Sequence, residues 1–443
     1  MAWYRDKWLW ILLAAIAALK LATGLHLYFL NPLGEQALLF PDSITYVYPA
    51  QTFLTYGQFW EAVSAAPMLL RTPGYPVFLA LIHLLSNSSV WVVIAAQNLL
   101  SMGLILSVYL SARQLAGITA GRVAAFFNAT SVLYFSFSFA VLSEMLCAFF
   151  LAWFVCFLLR FFDKPYHVFL WVGASCLAAA IYVRPAAYYL PWLLGLCLVI
   201  LKPMHWKKII IAFFIPLVML LGAWHIRNAR VGGYTGFSTM TAYNFYFWNE
   251  DFVARQKNIT IPQAHTWLEE NLPTGFTSLS GAEQSRIYRQ LAKPWVQAGW
   301  KYKLIRVPKW AVKTLLGTNF VHTSRLLFGF PTDEQELSNR TLGQTRLLHT
   351  VYLQTWATKL LLALSFLQVT LLLIGAIVGF CVLGKQKAPQ ALFLGLYSLY
   401  FWGLGSVFFW AYARFRVPFE FVWCILAGVS VNMFLQTHRK RID

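Results

Sequence analysis

Charged residues are scarce in this sequence. Only 12% of its 443 residues are Asp, Glu, Lys or Arg, whereas 59% are hydrophobic. Because an average soluble domain is about 25% charged, the composition excludes a soluble globular fold. Such a chain is expected to lie largely within a lipid bilayer, where backbone polar groups must be satisfied inside helices or a closed barrel.

Cysteines and familiar catalytic motifs are also sparse. The sequence has no Walker motif, no Gly-x-Gly-x-x-Gly fingerprint and no Gly-x-Ser-x-Gly elbow. The outer histidines His265, His322 and His349 lack the spacing of metal ligands such as His-Glu-x-x-His. The cysteines all fall inside predicted membrane helices, which predicts packing roles instead of disulfides or a Cys-rich metal site. They are Cys147, Cys156, Cys176, Cys197, Cys381 and Cys424.

Long apolar runs recur along the chain, and about 20 such residues suffice to cross roughly 30 Å of hydrocarbon. The runs are continuous and do not alternate as barrel strands do, which favours helices. We therefore predict an all-α polytopic membrane protein with about ten transmembrane helices and a retained N-terminal helix. The predicted spans are 8–30, 89–112, 120–139, 143–161, 167–183, 186–201, 208–225, 357–383, 389–411 and 417–436.

The net charge of +19 reports topology in a membrane protein, because Lys and Arg concentrate in short cytoplasmic loops. Ten spans place both termini on one side, and most basic loop residues fall on that side. We predict that both termini are cytoplasmic and that the basic residues serve insertion and anionic lipids, not nucleic acid. These residues include Arg5, Lys7, Arg113, Arg122, Arg160, Lys164, Lys202, Lys207, Lys208, Lys385, Lys387, Arg439 and Arg441.

The whole sequence divides into three predicted parts. Residues 1–225 form an N-terminal transmembrane module whose outer loop, 31–88, is the candidate catalytic loop. Residues 226–356 form a mainly helical extracytoplasmic segment, and 357–443 form the C-terminal transmembrane helices. Within the middle part, 291–317 interleaves aromatic and basic residues, which is typical of a helix lying in the headgroup interface. A solvated basic helix is the alternative.

The first outer loop contains two short predicted helices. The first, SITYVYPAQTFLTYG, ends at Gly57, and the second, PGYPVFLALIHLL, begins at Pro73. Residues 74–86 are too few to span a bilayer comfortably. A crossing there would also place the basic loop 113–122 outside. We therefore expect a juxtamembrane or re-entrant helix, with a crossing as the alternative.

Two acids at predicted helix starts are candidate functional groups. Asp42, in FPDSITYVY, is either the N-cap of its helix or, if Ser43 is the cap, a solvent-reachable carboxylate suited to general base catalysis. Glu144, in FAVLSEML, either compensates a helix dipole with Ser143 or converges with Asp42. Two converging carboxylates could share a divalent cation.

Several arginines lie at predicted outer helix ends, against the trend that places basic residues inside. A phosphate or pyrophosphate in a lipid headgroup would explain them, because guanidinium binds phosphate oxygens bidentately. Snorkelling to outer-leaflet lipid is the alternative. The set is Arg71, Arg184, Arg227, Arg230, Arg414 and Arg416. Lys20 lies inside the first span and has no assigned role.

Several short motifs follow one another in a fixed order along the chain. PDSITYVYPAQTFLTYGQF, RTPGYPVFLALIHLL, VLSEML, YVRPAA, AWHIRN and ARFRVP follow one another. In this order the sequence resembles the GT-C superfamily of polyprenyl-phosphate-sugar-dependent glycosyltransferases. The most similar branch contains protein O-mannosyltransferases and the lipid A aminoarabinose transferase. Ser43 replaces the second acid of the mannosyltransferases, and RTPGYP replaces a Lys-Pro-Pro type motif.

The resemblance implies an inverting displacement at the anomeric carbon of the sugar. Asp42 matches the essential outer-loop Asp of the family and would act as base, while Glu144, or more weakly Glu61, matches a second acid. The donor phosphate would bind Arg71 and Arg227 first, then Arg414, Arg416 and Arg184. A divalent cation, Mg²⁺ or Mn²⁺, held by Asp42 and Glu144 is a further means of stabilising the leaving group.

The partners implied by the resemblance are a polyprenyl-phosphate sugar donor, a lipid, protein or glycan acceptor, and membrane lipids. The expected location is the bacterial inner (plasma) membrane, with the site on the extracytoplasmic side. Two alternatives stay open: a transporter or flippase of lipid-linked sugars, and a glycan polymerase or ligase with a diphosphate-linked donor. Neither the sugar nor the acceptor is encoded in a readable motif.

Overall fold

A computed structural model of the chain describes residues 3–61, 66–86, 89–329, 355–407 and 413–442. Helices make up nearly all regular structure of these residues, which form no β-strand and only an isolated bridge between Trp60 and Pro67. The predicted all-α membrane fold is confirmed.

The first half of the chain contains the helices α1 to α10. In chain order they are α1 (Lys7–Phe29), α2 (Ile44–Tyr56), α3 (Gly74–Ser86), α4 (Val90–Ala116), α5 (Ile118–Ala129), α6 (Val132–Phe137), α7 (Glu144–Asp163), α8 (His167–Val183), α9 (Leu190–Leu201) and α10 (Trp206–Gly232). Helix α10 includes a π-helical turn at Ile210–Phe214 and continues past the domain boundary predicted at 225.

The second half begins with an outer group of helices and returns to long apolar ones. In chain order they are α11 (Met240–Phe247), α12 (Glu250–Lys257), α13 (Ile261–Glu270), α14 (Gly281–Leu316), α15 (Phe320–Phe328), α16 (Trp356–Gln386), α17 (Ala388–Val407) and α18 (Glu420–Ile442). The predicted interfacial helix 291–317 coincides with the second part of α14, and its position in the interface stays a prediction.

Six described helices are long and apolar enough to cross a membrane: α1, α4, α7, α10, α16 and α18. Three further apolar helices are shorter, at Gly74–Ser86, His167–Val183 and Pro185–Leu201. The chain is therefore an integral membrane protein, while the count of ten spans stays a prediction. Residues 408–411 of the predicted span 389–411 and residues 330–354 of the predicted outer segment lie outside the described part of the chain.

One predicted span, 120–139, is not a continuous helix. Helix α5 ends at Ala129, and Ser131 begins α6 by accepting a hydrogen bond at its side-chain oxygen from the Tyr134 amide. A serine that caps a new helix interrupts the preceding one, because its side chain satisfies an amide that would otherwise continue the ladder. An apolar run does not reveal such a break.

Helix α18 is central to the membrane part and packs against its neighbours through glycines. A Cβ atom at Gly379 of α16 would lie 1.9 Å from the Leu426 carbonyl oxygen, and one at Gly428 would lie 2.3 Å from the Ala120 carbonyl oxygen. Small residues allow helix backbones to approach this closely in membranes. The contacts hold α18 against α16 and α5, and the 3₁₀ turn Ala413–Arg416 precedes α18.

The RTPG segment of the first outer loop is fixed by a similar backbone contact. A Cβ atom at Gly74, the first residue of α3, would lie 2.6 Å from the Tyr182 carbonyl carbon at the end of α8. Only glycine permits this approach. The contact brings Arg71, just before α3, toward Arg184, which caps the end of α8.

The outer group of helices covers the loop that carries Arg71. The Thr239 amide donates to the Leu69 carbonyl at 2.9 Å, and the Ser238 hydroxyl donates to the Leu70 carbonyl at 2.6 Å. Farther along, Trp402 of α17 donates its indole N–H to the Ala311 carbonyl of α14 at 3.2 Å. Helix α14 therefore joins the outer group to the ends of the membrane helices.

Candidate active site

Asp42 stands immediately before α2, and the structure distinguishes between its two predicted roles. Ser43 occupies the N-cap position, where its hydroxyl donates to the Val141 carbonyl at 2.9 Å and caps no helix amide. The Asp42 carboxylate instead accepts from Arg71 Nη2 at 2.7 Å and from Arg414 Nη1 at 2.8 Å. Its side chain remains 34% exposed, so it is both ion-paired and open to solvent.

Arg71 is held in place by side chains of α2. Its Nε donates to the Thr45 hydroxyl at 3.0 Å, and its Nη1 donates to the Tyr46 hydroxyl at 3.3 Å. The guanidinium lies over the Tyr46 ring, 4.8 Å from its centroid. These contacts fix the plane of the guanidinium, which is the condition for directional binding of an oxyanion.

Glu144 lies beneath these groups as the first residue of α7, and its side chain is 1% exposed. Its Oε1 accepts from Arg414 and forms an ion pair with Arg184. Its Oε2 is buried and makes no hydrogen bond with any described residue. A buried carboxylate needs such partners, because an uncompensated charge there would cost several kcal/mol. Arg414 thus bridges the two acids.

The balance of charge in this five-residue cluster favours an anion. Three guanidinium groups face two carboxylates, which leaves one positive charge uncompensated. Burial alone would raise the pKa of Asp42, but Arg71 and Arg414 outweigh burial and hold the pKa below its usual range. Burial would lower the pKa of Arg414, yet Glu144 and Asp42 keep it above its ordinary value. Asp42 and Arg414 therefore both stay charged at neutral pH.

Part of the chain matches a family model, and the whole chain superposes on known structures. Residues 70–267 match the family model described as dolichyl-phosphate-mannose-protein mannosyltransferase. The oligosaccharyltransferase of Archaeoglobus fulgidus in its apo form superposes with a TM-score of 0.55 at 13% identity, over 100% of this chain and 52% of that one. The chain has a GT-C fold. The predicted resemblance to the GT-C superfamily is confirmed.

Two of the structures that match this chain contain a bound lipid phosphate. AglB from Archaeoglobus fulgidus, in complex with an inhibitory peptide and a dolichol-phosphate, superposes with a TM-score of 0.54 at 13% identity, over 100% of this chain and 52% of that one. ArnT from Cupriavidus metallidurans, bound to undecaprenyl phosphate, gives 0.40 at 12% identity, over 94% and 78%. The chain spans about half the length of the oligosaccharyltransferases. No curated protein sequence matches it.

Three residues expected in the site lie outside the cluster. Glu61 accepts at Oε1 from the amides of Leu69 and Leu70, both at 2.8 Å. Arg227 donates to the Met68 carbonyl at 2.7 Å and lies over the Trp224 ring. Both therefore brace the loop that leads to Arg71.

Arg416, the third of these residues, is 1% exposed and pairs with Glu420 at 2.5 Å. Its Nη1 also donates to the carbonyls of Thr314 and Leu315, at 3.2 and 2.7 Å. The donors of Arg416 are thus used in joining α14 to α18.

The expected divalent cation does not fit the groups that the cluster offers. In the part of the chain that the structure describes, no three His, Cys, Asp or Glu side chains are grouped as a metal site requires. The guanidinium of Arg414 already stands between Asp42 and Glu144. A divalent cation would add two positive charges to a cluster with one in excess. Arg414 therefore supplies the positive charge between the two acids.

His322 lies next to the cluster, which the sequence did not predict. Its ring packs edge-on against Phe40, with centroids 4.4 Å apart, and its Nδ1 is 3.3 Å from Asn319 Nδ2. Its Nε2 is buried and has no hydrogen-bond partner among the described residues. Burial and the charge of Arg325 lower the pKa of His322 to about 3, so the imidazole is neutral. Only tertiary packing brings α15 beside Phe40 and Phe137.

Proposed function

We propose that this chain is an inverting glycosyltransferase that moves a sugar from a polyprenyl-phosphate-linked donor to an acceptor on the extracytoplasmic face of the membrane. The observation that carries the proposal is the bridging of Asp42 by Arg71 and Arg414 above the buried Glu144. The family model and the superposed structures, which are glycosyltransferases, support the reaction class.

The three arginines suit the phosphate of the donor. Their side chains are 17–26% exposed, so each can reach a ligand while its position stays fixed by protein contacts. The phosphate gains negative charge as the glycosidic bond to it breaks. Cations aimed at a leaving group stabilise the transition state most where charge develops, by several kcal/mol for a well-placed donor. Arg71 and Arg414, which also contact Asp42, are the best placed of the three to bind the leaving phosphate.

In the proposed reaction, the acceptor hydroxyl oxygen forms a bond to the anomeric carbon as the bond from that carbon to the phosphate oxygen breaks. The hydroxyl proton passes to the Asp42 carboxylate, and polyprenyl phosphate leaves. A carboxylate held by two guanidinium groups is a weak base. When the donor phosphate draws Arg71 or Arg414 toward itself, Asp42 loses part of that stabilisation and its basicity rises. Donor binding would therefore activate the base.

Glu144 has a positioning role in this proposal. Its buried Oε1 orients both Arg184 and Arg414, and a fixed guanidinium loses less entropy when it binds phosphate. The neutral His322 lies beyond Phe40 and leaves the charge of the cluster unchanged near neutral pH.

The test uses membranes of a deletion strain, which contain both accumulated donor and unmodified acceptor. Purified wild-type protein is expected to release polyprenyl phosphate from them, measured by mass spectrometry. Asp42→Asn, which removes the acid but keeps the shape of the side chain, is expected to release at least about a hundredfold less while it still inserts and folds. Glu35→Gln is the matched control, because Glu35 is an exposed acid of the same loop. Normal turnover by Asp42→Asn would overturn the mechanism.

The same lipids distinguish the alternatives. Accumulation of a monosaccharide on a monophosphate carrier supports the proposed donor, whereas an oligosaccharide on a diphosphate carrier supports a polymerase or ligase. A transporter would move the labelled donor between leaflets of reconstituted vesicles without forming a new glycosidic bond.

A further inference from the structure

A second basic site lies in the outer group of helices, between α12 and α14. It is a cavity of about 390 Å³ whose lining includes Phe252, Arg255, Lys301, Tyr302 and Arg306. The guanidinium groups of Arg255 and Arg306 both lie against the Tyr302 ring, 5.2 and 4.8 Å from its centroid. Two cations are therefore gathered around one aromatic ring, and Lys301 adds a third at the same opening.

The charges of this cavity are not neutralised by acids. None of its lining residues is Asp or Glu, and within the described ranges Arg255, Lys301 and Arg306 form no ion pair with a carboxylate. The neighbouring acid, Asp251, is buried and pairs with Lys303 at 3.3 Å. Like cations repel one another, so a cavity holding three of them is expected to bind an anion.

The same part of α14 exposes a row of apolar side chains. Trp300 and Leu304 share one face of the helix and are 53% and 63% exposed; Ile305 and Val312 lie on the adjoining face and are 79% and 54% exposed. Residues four apart on a helix are neighbours. This stripe leads toward Ala311, where α14 is hydrogen-bonded to α17 at the end of the membrane part. Exposed apolar side chains flanked by cations are typical of contact with a membrane surface.

We propose that the cavity binds the phosphate of an anionic glycerophospholipid headgroup, with the apolar stripe of α14 resting in the lipid beside it. Arginine binds phosphate oxygens through paired donors, and lysine adds charge from a flexible stem. The stripe selects a lipid over a free phosphate, because a soluble ion gains nothing from Leu304 and Ile305. This site shares no residue with the Asp42 cluster, so the proposal does not depend on the proposed transfer reaction.

The experiment is native mass spectrometry of the full chain in a neutral detergent, titrated with phosphatidylglycerol or phosphatidylcholine. The test variant is Arg255→Gln/Lys301→Gln/Arg306→Gln. The matched control, Arg286→Gln/Arg289→Gln/Lys293→Gln, removes the same charge from the exposed first part of α14. Lys301→Gln alone replaces one surface cation and serves if the triple variant does not fold.

We expect the test variant to bind phosphatidylglycerol at least about tenfold more weakly, since each cation at a membrane surface contributes about 1 kcal/mol. The control is expected to bind like wild type, and Lys301→Gln to lie between them. Phosphatidylcholine should distinguish none of the variants. Equal loss in the control, or no loss in the test variant, would overturn the proposal. So would full displacement of the lipid by equimolar glycerol 3-phosphate, because the ligand would then be a soluble phosphate.

Discussion

Arg414 and Arg416 are two residues apart in one 3₁₀ turn, yet they lie in different environments. Arg414 joins two acids from distant parts of the chain, Asp42 and Glu144, and keeps an exposed edge. Arg416 joins Glu420 and two carbonyls of α14, and is sealed from solvent. The first cluster has one positive charge in excess, and the second is neutral. An ion cluster with excess charge and an exposed edge is suited to binding a ligand, whereas a neutral and buried cluster holds helices together.

The Asp42→Asn variant should separate the two clusters most clearly. Transfer is expected to fall by about 10²–10⁴-fold, the contribution typical of a positioned general base. The unfolding midpoint should fall less than for a sealed ion pair, because Asp42 and both arginines are partly exposed and the single amide oxygen of Asn can still accept from one arginine. The measurement is initial release of polyprenyl phosphate together with a thermal unfolding scan. A large loss of stability with unchanged rate per folded molecule would assign Asp42 to structure instead.

Glu420→Gln should produce the opposite result. Removing one partner of a buried ion pair leaves an uncompensated charge, which costs about 3–5 kcal/mol. We expect a marked fall in the unfolding midpoint in detergent and near-normal transfer by the molecules that remain folded. Because Glu420 also accepts from Ser131, Ser131→Ala should show the same direction with a smaller effect. Unchanged stability would contradict the conclusion that this buried pair holds the helices together.

Arg71→Gln should shift the pH dependence of transfer as well as its rate. In the folded protein the pKa of Asp42 is held below the unfolded value of about 3.9. The Asp42 ion pairs therefore stabilise the fold above that value, and this stabilisation is lost as the pH falls through the folded pKa. Removing Arg71 raises the pKa of Asp42, so the acid limb of kcat/KM should move to higher pH.

The rate of the Arg71→Gln variant at neutral pH should fall by about 10²–10³-fold, as for loss of one donor to a developing anion. Arg230→Gln is the control, since Arg230 is an exposed arginine at the end of α10. The comparison of kcat/KM from pH 3.5 to 8 checks both statements. An unshifted acid limb would show that Arg71 does not control the ionisation of Asp42.

Chelation should have the smallest effect. Because Arg414 lies between the two acids, we expect transfer after dialysis against EDTA to stay within about twofold of the untreated value, given that the guanidinium supplies the positive charge. The assay is repeated after addition of Mg²⁺ or Mn²⁺. A large loss that either ion restores would show that a metal displaces Arg414 in the working enzyme.

Much of the membrane fold was predictable, because apolar runs and basic loops reflect the bilayer directly. Asp42, Arg71, Glu144, Arg184 and Arg414 were all predicted as site residues, and the structure brings these five together. Their catalytic and phosphate-binding roles stay predictions.

The sequence did not distinguish these arginines from Arg227 and Arg416, which have the same residue type at similar helix ends. What separates them is which carbonyls and acids the packed helices present. The proximity of His322 and the break in 120–139 depend on contacts and caps that no local pattern encodes.

The contact at Gly74 sets the width of the proposed phosphate site. Rotating a side chain cannot relieve a backbone contact, so any Cβ at this position must push α3 away from α8. Arg71 precedes one of these helices and Arg184 follows the other, so the two guanidinium groups would separate with them. The backbone contact between α3 and α8 thus sets the distance between the two guanidinium groups, and with it the size of the anion that both can bind. A single methyl group at Gly74 would change that distance.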